Sequence, residues 1–225
     1  RYTVPEKVII AMSGGVDSSV AAYLCCKAGF DCIGVTMKLF TNDALSLPRE
    51  HSCCSLDDVE DARSVAEQLG MPYHVFNFAD RFESCVINRF VHAYENGETP
   101  NPCIDCNRYL KFEKLYQRAQ ELGCTHVVTG HYARIERAEN GRFLLKKGLD
   151  PTKDQSYVLY CLTQQQLAHT LLPLGGMEKT AVRALADENG FCNGQKPDSQ
   201  DICFVQNGDY ADFIESYTKK HYPPG

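Results

Sequence analysis

Two stretches of the sequence combine residue types that can perform chemistry. The first is residues 13–19, Ser-Gly-Gly-Val-Asp-Ser-Ser, between the apolar run 8–12 and a helix-like run over residues 20–28. A short continuous apolar run predicts a buried strand. Two adjacent glycines let the chain turn sharply and expose its N–H groups, and Asp17 or Ser18 can cap the helix that follows. Because the start of a helix attracts anions, this turn predicts a phosphate site.

The loop is neither of the two most familiar nucleotide loops. The G-x-x-x-x-G-K-S/T loop needs a lysine and the G-x-G-x-x-G loop needs three spaced glycines, and residues 13–19 provide neither. The string instead resembles the S-G-G-x-D-S signature of the PP-loop ATP pyrophosphatases, which hold the triphosphate of ATP and cleave it between the α and β phosphates. The structural alternative is an ordinary turn between a strand and a capped helix.

The second stretch is residues 101–107, Asn-Pro-Cys-Ile-Asp-Cys-Asn. A C-x-x-C pair can be a redox couple, half of a metal site or a reactive thiol with a neighbour. The Pro and Asn residues predict a loop over residues 96–106, which makes buried structural cysteines the weaker alternative. Cys203 ends another polar loop and is a third candidate thiol.

Most of the remaining cysteines are predicted to be small buried hydrophobic residues. These are Cys25, Cys26, Cys32, Cys85, Cys124, Cys161 and Cys192, whereas Cys53 and Cys54 are undecided. Twelve cysteines in a small secreted protein would indicate disulfides. In a mixed α/β chain of 225 residues without a signal peptide they indicate thiol, metal or redox chemistry instead.

Length and composition further limit the classes of protein to which the chain can belong. A chain of 225 residues exceeds a typical domain of about 150, so one large domain or one domain with part of another is expected. The sequence contains no signal peptide and no long apolar run, so we expect a cytoplasmic protein without a membrane partner. The net charge of −6 weighs against a generally basic nucleic-acid binder and leaves room for a local basic patch.

The hydrophobic pattern predicts the scaffold that positions these residues. Strands are expected at residues 8–12, 32–37, 73–78 and 125–129, helices at 18–28, 56–69, 79–94, 111–122, 163–169, 179–189 and 208–217, and a hairpin at 134–136 and 142–145. Asn140-Gly141 marks the turn of the hairpin, and Ser55 with Asp58 predicts a capping box at the start of the second helix. This alternation predicts an α/β fold, a doubly wound parallel sheet with a β-hairpin and a helical extension.

Ligands of such sheets bind beyond the carboxyl ends of the strands, where the strand order reverses. Residues 13–19 and the pair Gly130-His131 both follow predicted strands. We therefore expect them to flank one nucleotide. The alternative for His131 is a residue that merely finishes a turn, and the alternative for Lys153 is a solvated surface charge.

A series of separated motifs then makes the chain recognisable: A-M-S-G-G-V-D-S-S, Met37, N-P-C-x-x-C-N followed by K-F, T-G-H-Y-A, K-D-Q-S-Y and P-D-S-Q-D-I-C-F. Over essentially its whole length the chain resembles the tRNA-specific 2-thiouridylases of the PP-loop superfamily. Members of that family continue into β-rich domains. The resemblance therefore implies a PP-loop catalytic domain over residues 1–205 and the start of a central domain over residues 206–225, with the C-terminal β domains absent.

The resemblance implies ATP-dependent 2-thiolation of the wobble uridine of tRNA, position 34. ATP with Mg²⁺ would adenylate O2 of the base and so turn a poor leaving group into AMP. The positions that match ATP-binding residues are Ala11, Met12, Ser13, Gly14, Gly15, Val16, Asp17, Ser18, Met37 and Gly130. Asn101, Pro102 and Cys103 match contacts to the target base, and His131, Lys153, Asp154 and Gln155 match contacts to tRNA.

Two cysteines match the family's catalytic residues. Cys106 matches the nucleophile, and Cys203 matches the carrier of a persulfide received from a sulfur-donor protein. In that scheme the persulfide delivers sulfur and Cys106 resolves the adduct, which leaves a Cys106–Cys203 disulfide to be reduced. The implied partners are tRNA and the sulfur donor, and we expect a monomer.

The chain departs from the family at one position, because many members carry aspartate where this chain has Cys103. The catalytic role proposed for that aspartate therefore does not transfer. Cys103, Cys106 and Cys203 could instead hold a 4Fe–4S cluster with one open iron, as related sulfurtransferases do. Zinc held with Cys53 or Cys54 is a further alternative.

Two other functional classes remain open. One is another PP-loop adenylating enzyme, such as an amidating ligase, which would have no use for the thiols of Cys106 and Cys203. The other is a non-enzymatic nucleotide-binding module, which would bind ATP without releasing pyrophosphate.

Overall fold

The computed structural model describes residues 4–40, 55–198, 202–205 and 208–223, and the structural statements below concern those residues. Its strands are β1 (Lys7–Ala11), β2 (Asp31–Lys38), β3 (Tyr73–Asn77), β4 (His126–Val128), β5 (Ala133–Arg137), β6 (Phe143–Lys147) and β7 (Thr170–Leu171). Five of them form a parallel sheet in the order β3-β2-β1-β4-β7, and β5 and β6 form an antiparallel hairpin. The predicted α/β architecture with its hairpin is confirmed.

The strand order reverses beside β1. Ile10 lies opposite Gly34 of β2 on one side and opposite Val128 of β4 on the other. The chain runs outward from β1 to β3 and then returns to the other side of β1 at β4. A ligand crevice forms where neighbouring connections leave in opposite directions. The loops that follow β1 and β4 therefore share this crevice, as the sequence predicts.

Helices cover both faces of the sheet. They are α1 (Val16–Lys27), α2 (Leu56–Gln68), α3 (Ala79–Phe82), α4 (Asn88–Glu95), α5 (Pro102–Cys106), α6 (Leu115–Glu121), α7 (Gln164–Ala168), α8 (Lys179–Glu188) and α9 (Tyr210–Thr218). π-Helical turns join α3 to α4 at Glu83–Ile87 and α5 to α6 at Asn107–Lys114, and a 3₁₀ turn spans Ser156–Val158. None of the described helices is long and apolar enough to cross a membrane.

The core has two parts because side chains of β1 alternate between the two faces of the sheet. Ile9 packs into one cluster, and Val8 and Ile10 pack into the other. We call the cluster of Ile9 the aromatic core, because its members include Phe82, Phe90, Phe112, Phe204 and Phe213. A sheet buried on both faces explains the continuous apolar sequence of β1.

The predicted loop over residues 96–106 is wrong in its second half, and the helix predicted from residue 111 begins earlier. The side chain of Asn101 accepts a hydrogen bond from Cys103 N at 3.1 Å, and Pro102 occupies the first helical position. Asparagine is a good N-cap and proline suits the first turn. The residues that suggested a loop are thus the start signal of a helix that carries both cysteines.

The remaining differences are small. The capping box predicted at Ser55 is confirmed, since Ser55 and Asp58 exchange hydrogen bonds between side chain and backbone. Strand β7 was not predicted, because two residues are too few to show a period. Helix α9 packs Phe213 and Ile214 into the aromatic core. The division into residues 1–205 and 206–225 stays a prediction.

Candidate nucleotide and thiol site

The loop between β1 and α1 is shaped by a glycine in the left-handed region. Gly14 has φ +81°, and a Cβ placed there would lie 2.4 Å from the carbonyl oxygen of Asp58 in α2. Only glycine avoids this collision. Ser13 N donates to Ser18 Oγ at 3.2 Å, and Ser18 Oγ donates to Gly15 O at 3.1 Å. The loop is therefore packed on α2 and tied to the first turn of α1.

The predicted cap on α1 by Asp17 or Ser18 is wrong. The N-cap is Gly15, and no side chain caps the helix. Ser18 donates to the carbonyl of Gly15 instead, and Asp17 binds partners outside α1. The first N–H groups of a helix have no acceptor within the helix. The corrected geometry leaves these groups and the positive end of the helix dipole available to an anion, which suits a phosphate.

Gly130, after β4, lies against this first turn. A Cβ on Gly130 would lie 2.8 Å from Asp17 C and 2.9 Å from Ser18 N, both backbone atoms. The end of β4 therefore contacts the start of α1 without a side chain between them. The two predicted ATP-binding segments meet in the crevice.

We predict that Gly130→Ala lowers the free energy of unfolding by about 1–3 kcal/mol, the usual cost of forcing an extra methyl group into packed structure. Urea unfolding measures this. Gly176→Ala is the matched control, because a Cβ there would meet nothing within 4 Å. Equal midpoints for both variants would contradict the close approach of β4 and α1.

Asp17 accepts hydrogen bonds from two buried side chains. Lys179 Nζ donates to Asp17 Oδ1 at 2.7 Å and to Oδ2 at 2.8 Å, and Tyr132 OH donates to Oδ1 at 2.7 Å. The side chain of Lys179 is 9% exposed. Burial, followed by the hydrogen bond to Asp17, raises the pKa of Tyr132, so its hydroxyl stays a donor. The carboxylate of the loop is thus held by a cation and a phenol.

Lys179 also joins Asp17 to Asp198. Lys179 Nζ lies 2.7 Å from Asp198 Oδ1, and Arg183 and Lys153 contact the same carboxylate at 3.0 and 2.9 Å. Burial acts to raise the pKa of Asp198, but hydrogen bonds from Lys179 and Lys153 outweigh it and lower the pKa to about 2. These three cations neutralise Asp17 and Asp198 beside the N-terminus of α1, and Asp150 adds a third carboxylate, which accepts a hydrogen bond from Lys179 N at 3.1 Å.

Residues 193–198 hold the loop from its outer side. Asn193 Nδ2 donates to Gly14 O at 2.9 Å and to Ser19 Oγ at 2.8 Å. Lys196 Nζ donates to Asp58 at 2.5 Å and to Asp61 at 2.8 Å. These contacts attach residues 193–198, which precede Cys203 in the sequence, to the loop between β1 and α1 and to α2.

Sequence reasoning missed this network. Asp198 and Tyr132 lie in recognised motifs but have no predicted role. Lys179 and Arg183 lie in a predicted helix, and Asn193 lies in no predicted element. One signal was present: Lys179 is the first residue of α8, where the helix dipole disfavours a cation. A lysine at such a position indicates a carboxylate partner that only the fold can identify.

Several predicted ATP-binding positions have side chains that are buried in the cores. Met12, Val16 and Met37 are 2%, 3% and 8% exposed and pack into the two cores. Ala11 ends β1. Their buried side chains set the position of the loop and of the strand ends. Any contact of Met12 or Val16 with a ligand is therefore made by main-chain atoms.

Helix α5 carries the C-x-x-C pair. Cys103 is exposed in its first turn and Cys106 is half-buried at its end. Residues three apart share one side of a helix. Asn107 Nδ2 donates to Cys103 O at 3.0 Å, and Arg89 pairs with Asp105 at 3.2 Å. The pair is held on a short, capped helix rather than on the predicted loop.

Cys203 is half-buried and precedes the buried Phe204. The ring of Phe204 lies 5.7 Å from Phe82 and 5.2 Å from Phe90, by centroids. Cys106 and Cys203 both pack against the aromatic core. The fold therefore brings the two cysteines, distant in sequence, to the same hydrophobic cluster.

The described residues contain no group of three or more His, Cys, Asp or Glu placed to hold a metal ion. Cys53 and Cys54 lie outside the described residues. The prediction that Cys192 is buried is wrong: it is exposed, and its Sγ donates to Asp61 at 3.6 Å. Cys25, Cys32 and Cys124 are buried as predicted, and Cys26, Cys85 and Cys161 are half-buried.

The predicted tRNA-contacting residues differ in exposure. His131 is 7% exposed, shares a hydrogen bond with Thr129 and has its pKa lowered by burial, so its ring is neutral and internal. Asp154 accepts from Gly148 N and Ser156, and Gln155 accepts from Tyr132 N. This geometry supports the structural alternative for His131. Of these side chains, Lys153 has the charge and exposure for a phosphate contact.

Comparison with known proteins gives the family. The family model described as tRNA methyl transferase HUP domain matches residues 6–207. The tRNA-specific 2-thiouridylase MnmA of Clostridioides difficile (strain 630) is 53% identical over 221 residues, which are 98% of this chain and 61% of that protein. The chain spans about three fifths of the length of the curated relatives it matches.

Two solved structures share the fold. A 4-thiouridine synthetase in complex with RNA and bound ATP superposes with a TM-score of 0.57 at 21% identity, over 90% of this chain and 46% of that one. NMN synthetase from Francisella tularensis gives 0.52 at 18% identity, over 99% and 80%. The PP-loop type of α/β fold is confirmed. The resemblance to the tRNA-specific 2-thiouridylases is confirmed as well, and the chain belongs to the tRNA methyl transferase HUP domain family.

Proposed function

We propose that this chain is the catalytic part of an ATP-dependent tRNA-uridine 2-sulfurtransferase, which thiolates the wobble uridine. The observation that carries the proposal is the S-G-G-V-D-S-S loop at the reversal of the strand order, together with a thiol-bearing helix in the same chain. Membership of the family and the names of its curated relatives support it. The fold alone does not identify the reaction, because a thiouridine synthetase and an NMN synthetase share it.

ATP is the proposed nucleotide, and the residues present fit its phosphates. The uncapped N-terminus of α1 supplies N–H donors and the positive end of the helix dipole. Asp17 is the carboxylate on this loop that would take part in binding Mg²⁺, a hard cation that prefers oxygen ligands. The cluster of Val8 and Ile10, which includes Val16 of α1 and Val182 of α8, and the packed loop fix these groups in place, so little reorganisation is needed when the nucleotide binds.

The proposed chemistry begins with adenylation of the base. O2 of the uridine attacks the α phosphate of ATP, and pyrophosphate leaves. The terminal sulfur of a persulfide on Cys203 then attacks C2 and expels AMP. Cys106 as thiolate attacks the Cys203 sulfur and releases the base as its 2-thio form, with a Cys106–Cys203 disulfide left behind. A two-electron thiol reductant restores both thiols before a sulfur-donor protein reloads Cys203.

Sulfur transfer explains the residues better than the methyl transfer in the family's name. Methyl transfer requires neither a loop that cleaves ATP nor paired thiols, and this chain carries both candidates. An amidating ligase would use the loop but leave Cys106 and Cys203 without a role. We propose the persulfide route because it needs two thiols, and both of these pack on one hydrophobic cluster.

The proposed partners are tRNA and a protein that supplies persulfide sulfur. We propose that the protein acts as a monomer in the cytoplasm. Mass spectrometry of tRNA from cells that lack the protein tests the function. Loss of 2-thiouridine derivatives at the wobble position is expected, and their return on complementation is the control. Unchanged wobble thiolation would contradict the assignment.

Lys153 gives a prediction about tRNA. Its side chain is 38% exposed and pairs with Asp198 at 2.9 Å. We propose that it contacts a phosphate, so Lys153→Ala should weaken tRNA binding and reduce the slope of log affinity against log salt by about one. The affinity for ATP should change little, because Lys179 and Arg183 still hold Asp198.

Binding titrations at several salt concentrations measure this effect. Lys220→Ala is the matched control, since Lys220 is an exposed lysine that pairs with Glu95 on another part of the surface. An unchanged salt slope in Lys153→Ala would remove Lys153 from the tRNA site.

A further inference from the structure

Two exposed tyrosines lie in and just after the 3₁₀ turn Ser156–Val158. Tyr157 is 60% exposed and Tyr160 is 70% exposed. Among the large hydrophobic side chains that the described residues expose, these are the only Phe or Tyr. Burial of such rings is favourable, so two rings left in solvent at neighbouring positions require an explanation.

The turn itself is firmly anchored. Val158 is 5% exposed and Leu159 is fully buried, and both pack into the aromatic core. Gln155 N donates to Tyr132 O at 2.9 Å, and Val158 N donates to Gln155 O at 3.2 Å. Both tyrosines therefore stand on an anchored backbone, Tyr157 within the 3₁₀ turn and Tyr160 two residues after it.

The turn lies beside the helical run that carries the thiols. Leu110, in the π-helical turn after Cys106, is buried in the same core as Leu159. Arg108 is exposed, and its guanidinium lies 5.2 Å from the centroid of Tyr109. The ring of Phe112, in the same π-helical turn, lies 6.3 Å from the ring of His131, and the neighbouring Tyr132 O accepts a hydrogen bond from Gln155 N at the start of the 3₁₀ turn.

We infer that Tyr157 and Tyr160, with the exposed Arg108 on the neighbouring helical run, form a stacking surface for unpaired RNA nucleotides next to the target base. Single-stranded RNA is recognised by splayed bases that stack on aromatic rings and on guanidinium planes. The surface directly follows Lys153 in sequence and adjoins the helix of Cys103 and Cys106. The inference rests on the proposed function, and it adds a base-stacking site to the phosphate contact proposed for Lys153.

The test uses a hairpin RNA of anticodon-arm size with 2-aminopurine adjacent to the target uridine. Binding to the wild type should quench its fluorescence by stacking. Tyr157→Ala and Tyr160→Ala should each weaken binding by roughly 5- to 100-fold and reduce the quench, the range found for loss of one base–aromatic stack. The salt slope should not change, because no charge is removed.

Three variants sharpen the test. Tyr157→Phe and Tyr160→Phe keep the ring and should bind within about twofold of the wild type, since stacking needs no hydroxyl. Arg108→Gln should reduce the salt slope by about one. Far-ultraviolet circular dichroism melts check that the exposed substitutions leave the fold intact.

Each outcome decides the inference. Full affinity and full quench in both alanine variants would overturn it while leaving the proposed function standing. The inference would also be overturned if the alanine variants bound RNA normally but bound a persulfide-donor protein more weakly. The surface would then be a protein-docking site. A wild type that binds neither the hairpin nor whole tRNA would overturn the inference and the proposed function together.

Discussion

Asp17→Asn and Lys179→Met will each reduce release of AMP and pyrophosphate from ATP by at least about 100-fold. Removal of one preorganised charge from a site where phosphate charge develops typically costs this much or more. In this protein the two residues form one contact, with Lys179 Nζ 2.7 and 2.8 Å from the two oxygens of Asp17. Each substitution should therefore lower both the rate of the chemical step and the affinity for the nucleotide.

Because Lys179 is buried, the experiment must distinguish a loss of activity from a loss of folding. Lys179 is 9% exposed, and removal of one partner from a buried ion pair costs about 3–5 kcal/mol. Asp17→Asn keeps the shape of the side chain and Asp198 remains beside Lys179, so the fold should survive. Thermal melts of each variant check this, and Lys220→Met, at an exposed lysine, is the control. Wild-type pyrophosphate release by a folded Asp17→Asn protein would contradict the role given to the loop.

Cys106→Ser and Cys203→Ser will each abolish tRNA thiolation and leave ATP binding intact. Serine has nearly the size of cysteine but cannot carry a persulfide or resolve one. Neither residue is part of the Asp17–Lys179–Asp198 network, so the nucleotide site should not change. Quantifying 2-thiouridine after digestion of the product tRNA measures the loss. Full thiolation by either variant would refute both residue roles.

Cys103→Ser separates the two sulfur routes. If the persulfide route operates, this variant should retain substantial activity, because Cys103 takes no part in it. A requirement for a three-cysteine cluster would instead make activity fall together with the iron bound after anaerobic reconstitution. Cys192→Ser, at another exposed cysteine, is the matched control.

The sequence predicted the scaffold well because its signals were local. The apolar run of β1, the capping box at Ser55 and the Asn-Gly turn of the hairpin each depend on a few neighbouring residues. The error at residues 96–106 had a local cause too. Asn and Pro favour both loops and helix starts, and only the periodic residues that follow distinguish the two.

The site was only half predictable, because its charges come from distant parts of the chain. Asp17 and Gly130 lie at strand ends, where the pattern of an α/β fold directs attention. Lys179 and Asp198 reach the loop from α8 and from the segment after it, and pairing across such distances leaves no spacing to recognise. The tRNA contact of His131 stays a prediction: it comes from a motif, and the burial of this side chain became visible only in the fold.

The most direct measurement of the central claim follows the phosphates and the sulfur in one reaction. The protein is supplied with ATP labelled at the α phosphate, unmodified tRNA and a persulfide donor. The account predicts labelled AMP and pyrophosphate, formed only when tRNA is present and in equal amount to the 2-thiouridine produced. Labelled ADP with inorganic phosphate, or AMP formed at the same rate without tRNA, would contradict it.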